Sequence, residues 1–136
     1  MKIVIDKGAF APERAHGTDA GLDLKTPFGF SLSPGNSIVI DTGVHVELPP
    51  GTVGMLKSKS GLNVKKGILS EGVIDVGYTG SIRAKLYNHG KETAHFEEGD
   101  KITQLVILPV IIPEIEIVDS LEETERGANG FGSTGR

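Results

Sequence analysis

One carboxylate and one phenol stand three residues apart in Gly72-Val73-Ile74-Asp75-Val76-Gly77-Tyr78-Thr79-Gly80. An ionised carboxylate can take a proton from water. An aromatic face can pack under a flat ligand ring. The framing glycines permit positive φ and let another molecule come close to the backbone. An aspartate among apolar residues is costly to bury unless it finds partners. The pair therefore outlines a small-molecule pocket on a β-hairpin. A tight turn with a capping Asp and a packing Tyr would look the same, and this stretch alone leaves both open.

Three further segments carry chemistry-bearing side chains. Lys57-Ser58-Lys59-Ser60-Gly61-Leu62 offers two cations, two hydroxyls and a glycine, which suits an oxyanion if Ser60 and Gly61 open a short helix. A solvated lysine run is the plainer alternative. Asp19-Ala20-Gly21-Leu22-Asp23-Leu24 sets Asp23 between two leucines on a short strand, as an outward charge would be. In Gly99-Asp100-Lys101-Ile102-Thr103-Gln104-Leu105-Val106, Gln104 sits in an apolar strand and needs hydrogen-bond partners if buried. The end of the chain, Arg126-Gly127-Ala128-Asn129-Gly130-Phe131-Gly132-Ser133-Thr134-Gly135-Arg136, has too little apolar surface to fold alone. Its glycine N–H groups, hydroxyls and arginine fit a flap over a phosphorylated ligand, and Phe131 fits a base. A frayed terminus is the alternative. His16, His45, His89 and His95 have no metal-ligand spacing, and no Walker-type loop occurs.

The elements that must position these groups are short and β-rich. Runs at 3–5, 37–40, 44–48, 52–56, 81–88, 101–108 and 111–118 alternate or are β-branched, with Gly/Pro turns between them. Only 61–66 suggests a helix, of a turn or two. This pattern predicts an all-β, jelly-roll-like sandwich or barrel. The 136 residues fit one domain with a real core. A net charge of −4 disfavours a nucleic-acid polymer as partner. With no cysteine, thiol catalysis and cysteine-ligated zinc are excluded. The first residues do not look like a signal peptide, and the apolar run 105–113 is too short to cross a bilayer, so a cytoplasmic setting is expected.

Taken in order, the four segments and the tail resemble the five motifs of the trimeric dUTP pyrophosphatases (dUTPases). They are Ala20-Gly21-Leu22-Asp23-Leu24; Lys59-Ser60-Gly61-Leu62; the stretch 72–80; Gly99-Asp100-Lys101-Ile102-Thr103-Gln104-Leu105; and 126–135. The resemblance implies a jelly-roll homotrimer with exchanged C-terminal arms. It divides the chain into a body, 1–118, and an arm, 119–136, that closes over a neighbouring subunit's site. The implied reaction is hydrolysis of dUTP to dUMP and pyrophosphate. Asp75 would activate the water that attacks the α-phosphorus. Tyr78 would pack under the deoxyribose, and the backbone of 69–74, including Leu69, Gly72, Val73 and Ile74, would read the uracil edge. Lys59, Ser60, Gly61 and Gln104 would hold phosphates, with Arg83 as a further contact. Arg126, Gly132, Ser133 and Thr134 would close over the phosphates while Phe131 stacks on the base. Mg²⁺ would be held mainly by the triphosphate, with Asp23 reaching it through a water.

This chain departs from the family pattern in the second motif, where Ser58-Lys59 stands for the usual Pro-Arg. Lysine keeps the charge and loses the bidentate fork. Two rivals share the fold. A nucleotide-gated regulatory or binding protein would need no turnover. A dCTP deaminase relative would carry a catalytic glutamate near Lys85, and a lysine cannot replace it.

Overall fold

The computed structural model of the chain describes residues 1–130. Ten strands and one short helix follow in the order β1 (Lys2–Ile5), β2 (Gly21–Lys25), β3 (Phe30–Leu32), β4 (Ser37–Asp41), β5 (Val44–Glu47), β6 (Thr52–Lys57), α1 (Ser60–Lys66), β7 (Ile68–Ile74), β8 (Arg83–Asn88), β9 (Ala94–Phe96) and β10 (Lys101–Pro109). A six-stranded antiparallel sheet runs β2-β10-β6-β7-β8-β4. Two small sheets, β1-β5 and β3-β9, cover it. The expected all-β sandwich is what forms.

The core explains the layering. Val44, Val46 and Leu48, the apolar half of an alternating run, pack with Leu22, Leu24, Leu56, Ile74, Ile82 and Leu105. Leu32, Ala94 and Phe96 from the β3-β9 region pack with Ile40, Ile68, Ala84, Leu86 and Ile102. Each small sheet thus closes one half of the large one. Phe30 and Phe96 stack at 4.7 Å between centroids on the second half.

Two expectations need correction. The run 111–118 alternates Ile with Glu yet forms no strand, because it has no strand partner among the described residues. Ile111, Ile115 and Ile117 are 89–95% exposed. The second correction concerns the stretch 72–80, which is not the tip of a tight hairpin. Strand β7 pairs with β8 only over Ile68–Ser70, opposite Leu86–Asn88. From Glu71 to Ile74 it pairs with β6 instead.

Helix α1 starts where Lys59 leaves extended geometry, and Leu62 packs on the second core half. It ends at Gly67, whose φ of 69° is the left-handed cap that glycine adopts without strain. A Cβ there would lie 2.6 Å from the Gly90 nitrogen. Gly67→Ala is therefore expected to cost about 2 kcal/mol or more, read as an earlier midpoint in urea denaturation. An unchanged midpoint would contradict the close packing described.

Candidate functional site

Residues directly opposite in antiparallel strands project to the same face. Leu22, Leu105, Leu56 and Gly72 form one such row across four strands, and its leucines enter the core. The next row is Asp23, Gln104, Lys57 and Glu71. One-residue alternation therefore sets a polar row on the outer face. Lys57 and Glu71 pair at 2.8 Å. Gln104 donates its amide to the Ser58 carbonyl at 3.0 Å. A Cβ on residue 21 would meet the end of this side chain, so Gly21 leaves room for the amide where it now lies.

This row floors a cleft of about 490 Å³, lined by Asp19, Ala20, Gly21, Asp23, Lys57, Lys59, Ser60, Gly61 and Gln104 together with Ala15 and Val106. Segments one, two and four of the sequence thus meet in one place. Asp23, expected as an outward charge, is instead 4% exposed. The Lys59 ammonium sits 2.5 Å from its Oδ1 and the Lys101 ammonium 3.2 Å from its Oδ2. Glu13 continues the network to Lys101 at 2.8 Å and to Lys25 at 3.2 Å. Hydrogen bonds from Lys101 and Lys25 hold the Glu13 carboxyl below its ordinary range. The same contact with Glu13, then that with Asp23, pushes Lys101 up.

Asp75 and Tyr78 lie elsewhere. They are the first and fourth residues of a turn closed by the Tyr78 N–H to the Asp75 carbonyl at 3.1 Å. Gly77, third in the turn, has φ 91°, as a type II turn requires. The Tyr78 hydroxyl donates to the Ser81 carbonyl at 3.0 Å. With Val73, Ile74 and Arg83 they line a cleft of about 210 Å³. It shares no lining residue with the first.

Beyond the turn, the chain is tied to the β4–β5 corner. The Ile82 N–H donates to the Val44 carbonyl, and both the N–H and the hydroxyl of Thr42 donate to the Ile82 carbonyl. Asp41 accepts from the Ser81 hydroxyl and lies 3.5 Å from Arg83. The Ser81 contact holds the Asp41 carboxyl below its usual range. His45 reaches the Thr79 carbonyl at 2.8 Å. Glu13, Asp41, Thr42, His45 and Ser81 are contributors that the motif spacing does not reveal. Asp41-Thr42-Gly43 reads as a turn, and nothing in it points to residue 81.

Of the remaining expected residues, Leu69 lies in the β7 segment paired with β8. The Arg126 Nε donates to the Asn129 carbonyl at 3.1 Å in an exposed turn. Phe131, Gly132, Ser133 and Thr134 lie outside the described residues. No three carboxylate or imidazole side chains converge among the described residues, and both Asp23 oxygens already face ammonium groups. Asp19 and Asp23 are the carboxylates this cleft could offer a cation. No described helix is long and apolar enough to cross a membrane.

Glu13→Gln should lower stability near pH 7. A depressed folded-state pKa stabilises above the ordinary value of about 4.5 and loses that effect as pH falls through the folded value. In denaturant titrations the gap between wild type and variant should therefore close as pH falls below about 4.5 and through the lowered folded value. A gap constant across that range would remove Glu13 from the network.

A family profile described as dUTPase matches residues 8–135. The deoxyuridine 5'-triphosphate nucleotidohydrolase of Clostridium acetobutylicum is 45% identical over 134 residues, covering 96% of this chain and 92% of that protein. Its counterpart in Gloeothece citriformis is 43% identical over 134 residues, with the same coverage. Among solved structures, the dUTPase of Staphylococcus bacteriophage 80alpha with dUpNHpp superposes with a TM-score of 0.91 at 33% identity, covering 99% of this chain and 98% of that one. A mutant dUTPase from phage phi11 of S. aureus, described with a structural Mg(II) ion, gives 0.81 at 31% identity over 90% of this chain and 98% of that one.

Proposed function

The chain belongs to the dUTPase family, and from that premise we propose that it hydrolyses dUTP to dUMP and pyrophosphate with Asp75 as the general base. The observation that carries the residue assignment is the open edge of β7. Pairing with β8 stops at Ser70, so among the described residues no strand faces the β8 side of residues 71–74. A uracil edge offers the acceptors and donor that such a main-chain edge can pair with. Leu69, Gly72, Val73 and Ile74 border it, and a close fit there leaves no room for a 5-methyl group.

Tyr78 then lies under the deoxyribose, where a 2′-hydroxyl would clash. Asp75 takes a proton from a water as the water oxygen bonds to the α-phosphorus. The bond from that phosphorus to the bridging oxygen breaks, and pyrophosphate leaves. Arg83, steadied by Asp41, meets developing negative charge. Lys59, Ser60, Gly61 and Gln104 hold phosphates in the larger cleft. Lys59 exchanges Asp23 for phosphate oxygens as it does so. Bound Mg²⁺, held mainly by the triphosphate, would neutralise charge on the leaving group. Asp23, once relieved of Lys59, is the carboxylate that would reach it through a water.

The two clefts share no lining residue. A site that needs both is completed by neighbouring copies, in keeping with a homotrimer. The body then spans 1–118, and the arm, 119–136, closes over a neighbour with Arg126, Phe131, Gly132, Ser133 and Thr134. The protein acts in the cytoplasm on a free nucleotide, with no nucleic-acid polymer or membrane as partner. Lys85, exposed over the Tyr87 ring at 5.0 Å, offers no carboxylate for dCTP deamination. Likeness to the phage 80alpha protein, described as controlling transfer of virulence genes, favours a second, regulatory reading. A pull-down with and without a non-hydrolysable dUTP analogue tests it, because a nucleotide-gated partner would respond to the analogue.

Asp75→Asn is expected to cut pyrophosphate release from dUTP by roughly a thousand-fold and to leave dUTP binding nearly unchanged. Equal losses of binding and rate would remove the general-base role. Release measured in parallel from dTTP, dCTP and UTP should be small, which tests base and sugar selection together. Truncation after Arg126 should leave a folded trimer with little activity. Full activity in the truncated protein would rule out the arm as a flap.

A further inference from the structure

We propose that His45 is a positioning residue for the hydrolysis, tying the loop that carries Asp75 and Tyr78 to the end of β1. This rests on the assignment of Asp75 as base. Among the described residues, His45 is the side chain from another strand that hydrogen-bonds within residues 75–80. Its Nδ1 lies 2.8 Å from the Thr79 carbonyl oxygen, one residue beyond Tyr78. Its Nε2 lies 3.3 Å from Asp6 Oδ2. Asp6 is itself fixed, since its N–H donates to the Gly43 carbonyl at 2.8 Å.

Both partners accept hydrogen bonds. A carbonyl has no proton to give, and neither has an ionised carboxylate. Only the doubly protonated ring satisfies the two contacts at once. A neutral ring keeps one N–H and turns a lone pair on the other nitrogen toward an oxygen. Either tautomer breaks one end of the tie.

The charges around the ring favour the cation. Asp6 is in contact, and Asp41, itself paired with Arg83, adds its field from the end of β4. Lys2 and Glu47 border the same groove and largely cancel each other through their 2.9 Å pair. The Thr79 carbonyl first, and Asp6 second, push His45 above its ordinary 6.5. A raised folded-state value means the tie is complete below about 6.5 and is lost as pH climbs through the raised value.

His45→Ala, His45→Gln and Asp6→Asn should be compared with wild type for kcat and KM on dUTP across pH 6 to 9. His45→Ala is expected to lower kcat roughly ten-fold and to change KM by a smaller factor, because the loop carries the base and Tyr78 while the phosphate grip lies on other segments. Glutamine keeps a non-titrating donor for Thr79, so His45→Gln should restore much of kcat at neutral pH and flatten the alkaline fall. Asp6→Asn should move that fall to lower pH. Independently of turnover, the Thr79 and Gly80 amide resonances should titrate together with the His45 ring. They should do so in Asp75→Asn as well.

Unchanged kcat and pH profile in His45→Ala would overturn the proposal, whether or not its unfolding midpoint falls. So would Thr79 and Gly80 resonances that ignore the ring. Failure of the Asp75 assignment looks different. In that case Asp75→Asn would turn over normally while the amide titration persisted.

Discussion

Strand β7 pairs with β8 only as far as Ser70 and with β6 only from Glu71 on, and the proposed site depends on that. Ile82 is fully buried and is bonded through its main chain to Thr42 and Val44. This draws the start of β8 toward the β4–β5 corner. The β7–β8 ladder therefore ends at Ser70 and Leu86, while β6 keeps hold of Glu71–Ile74. A hydrophobic side chain and three hydrogen bonds thus open a slot in a sheet that would otherwise close. The type II turn at 75–78 then aims its carboxylate and ring from the rim of that slot. Sheets usually close such gaps, since unpaired main-chain groups in a dry interior are costly. Here one side of the gap stays open to solvent.

The second constraint is parity. Side chains alternate across a strand with period two, so the row after Leu22-Leu105-Leu56 must face outward. That row supplies Asp23 and Gln104. Asp23 is nonetheless covered, by two ammonium groups and by the segment around Glu13, which bridges to it. Removing one partner from a buried pair is far more costly than the pair itself is stabilising. Lys59 is therefore pinned until another anion replaces Asp23. A phosphate that took Lys59 would leave Asp23 with Lys101 alone, so binding at this cleft competes with an internal ion pair. Lysine meets a phosphate as a point charge, without the planar fork of arginine.

How much of this was legible depended on distance along the chain. Val44, Val46 and Leu48 announced a half-buried strand because the signal lies within five residues. The Gly77 turn was legible for the same reason. The splay was not, since it is fixed by contacts between residue 82 and residues 42–44. Asp23 was read as outward because alternation gives the face and says nothing of what covers it. Its cover comes from Lys59 and Lys101, both distant in sequence. The histidine at 45 carried no spacing signal, because its partners are a carbonyl and an aspartate 39 residues away. The run 111–118 misled in the opposite sense. Its period was right, but a strand also needs an edge to pair with.

Ile111, Ile112, Ile115, Ile117 and Leu121 are each at least 84% exposed. A soluble chain rarely leaves so continuous an apolar strip in water. The strip follows Val110, whose N–H is still bonded to the body through the Gly51 carbonyl. The residues beyond it extend away from their own core. Burial of that strip on another copy would remove roughly 1.5–3 kcal/mol of exposure cost per large side chain. Under the proposed assembly, the same contact would carry Arg126 toward a neighbour's cleft. Under the proposed assembly, the apolar strip is the hinge between stability and activity. Its isoleucines anchor the arm, and its length sets which neighbour's slot the terminal residues can cover.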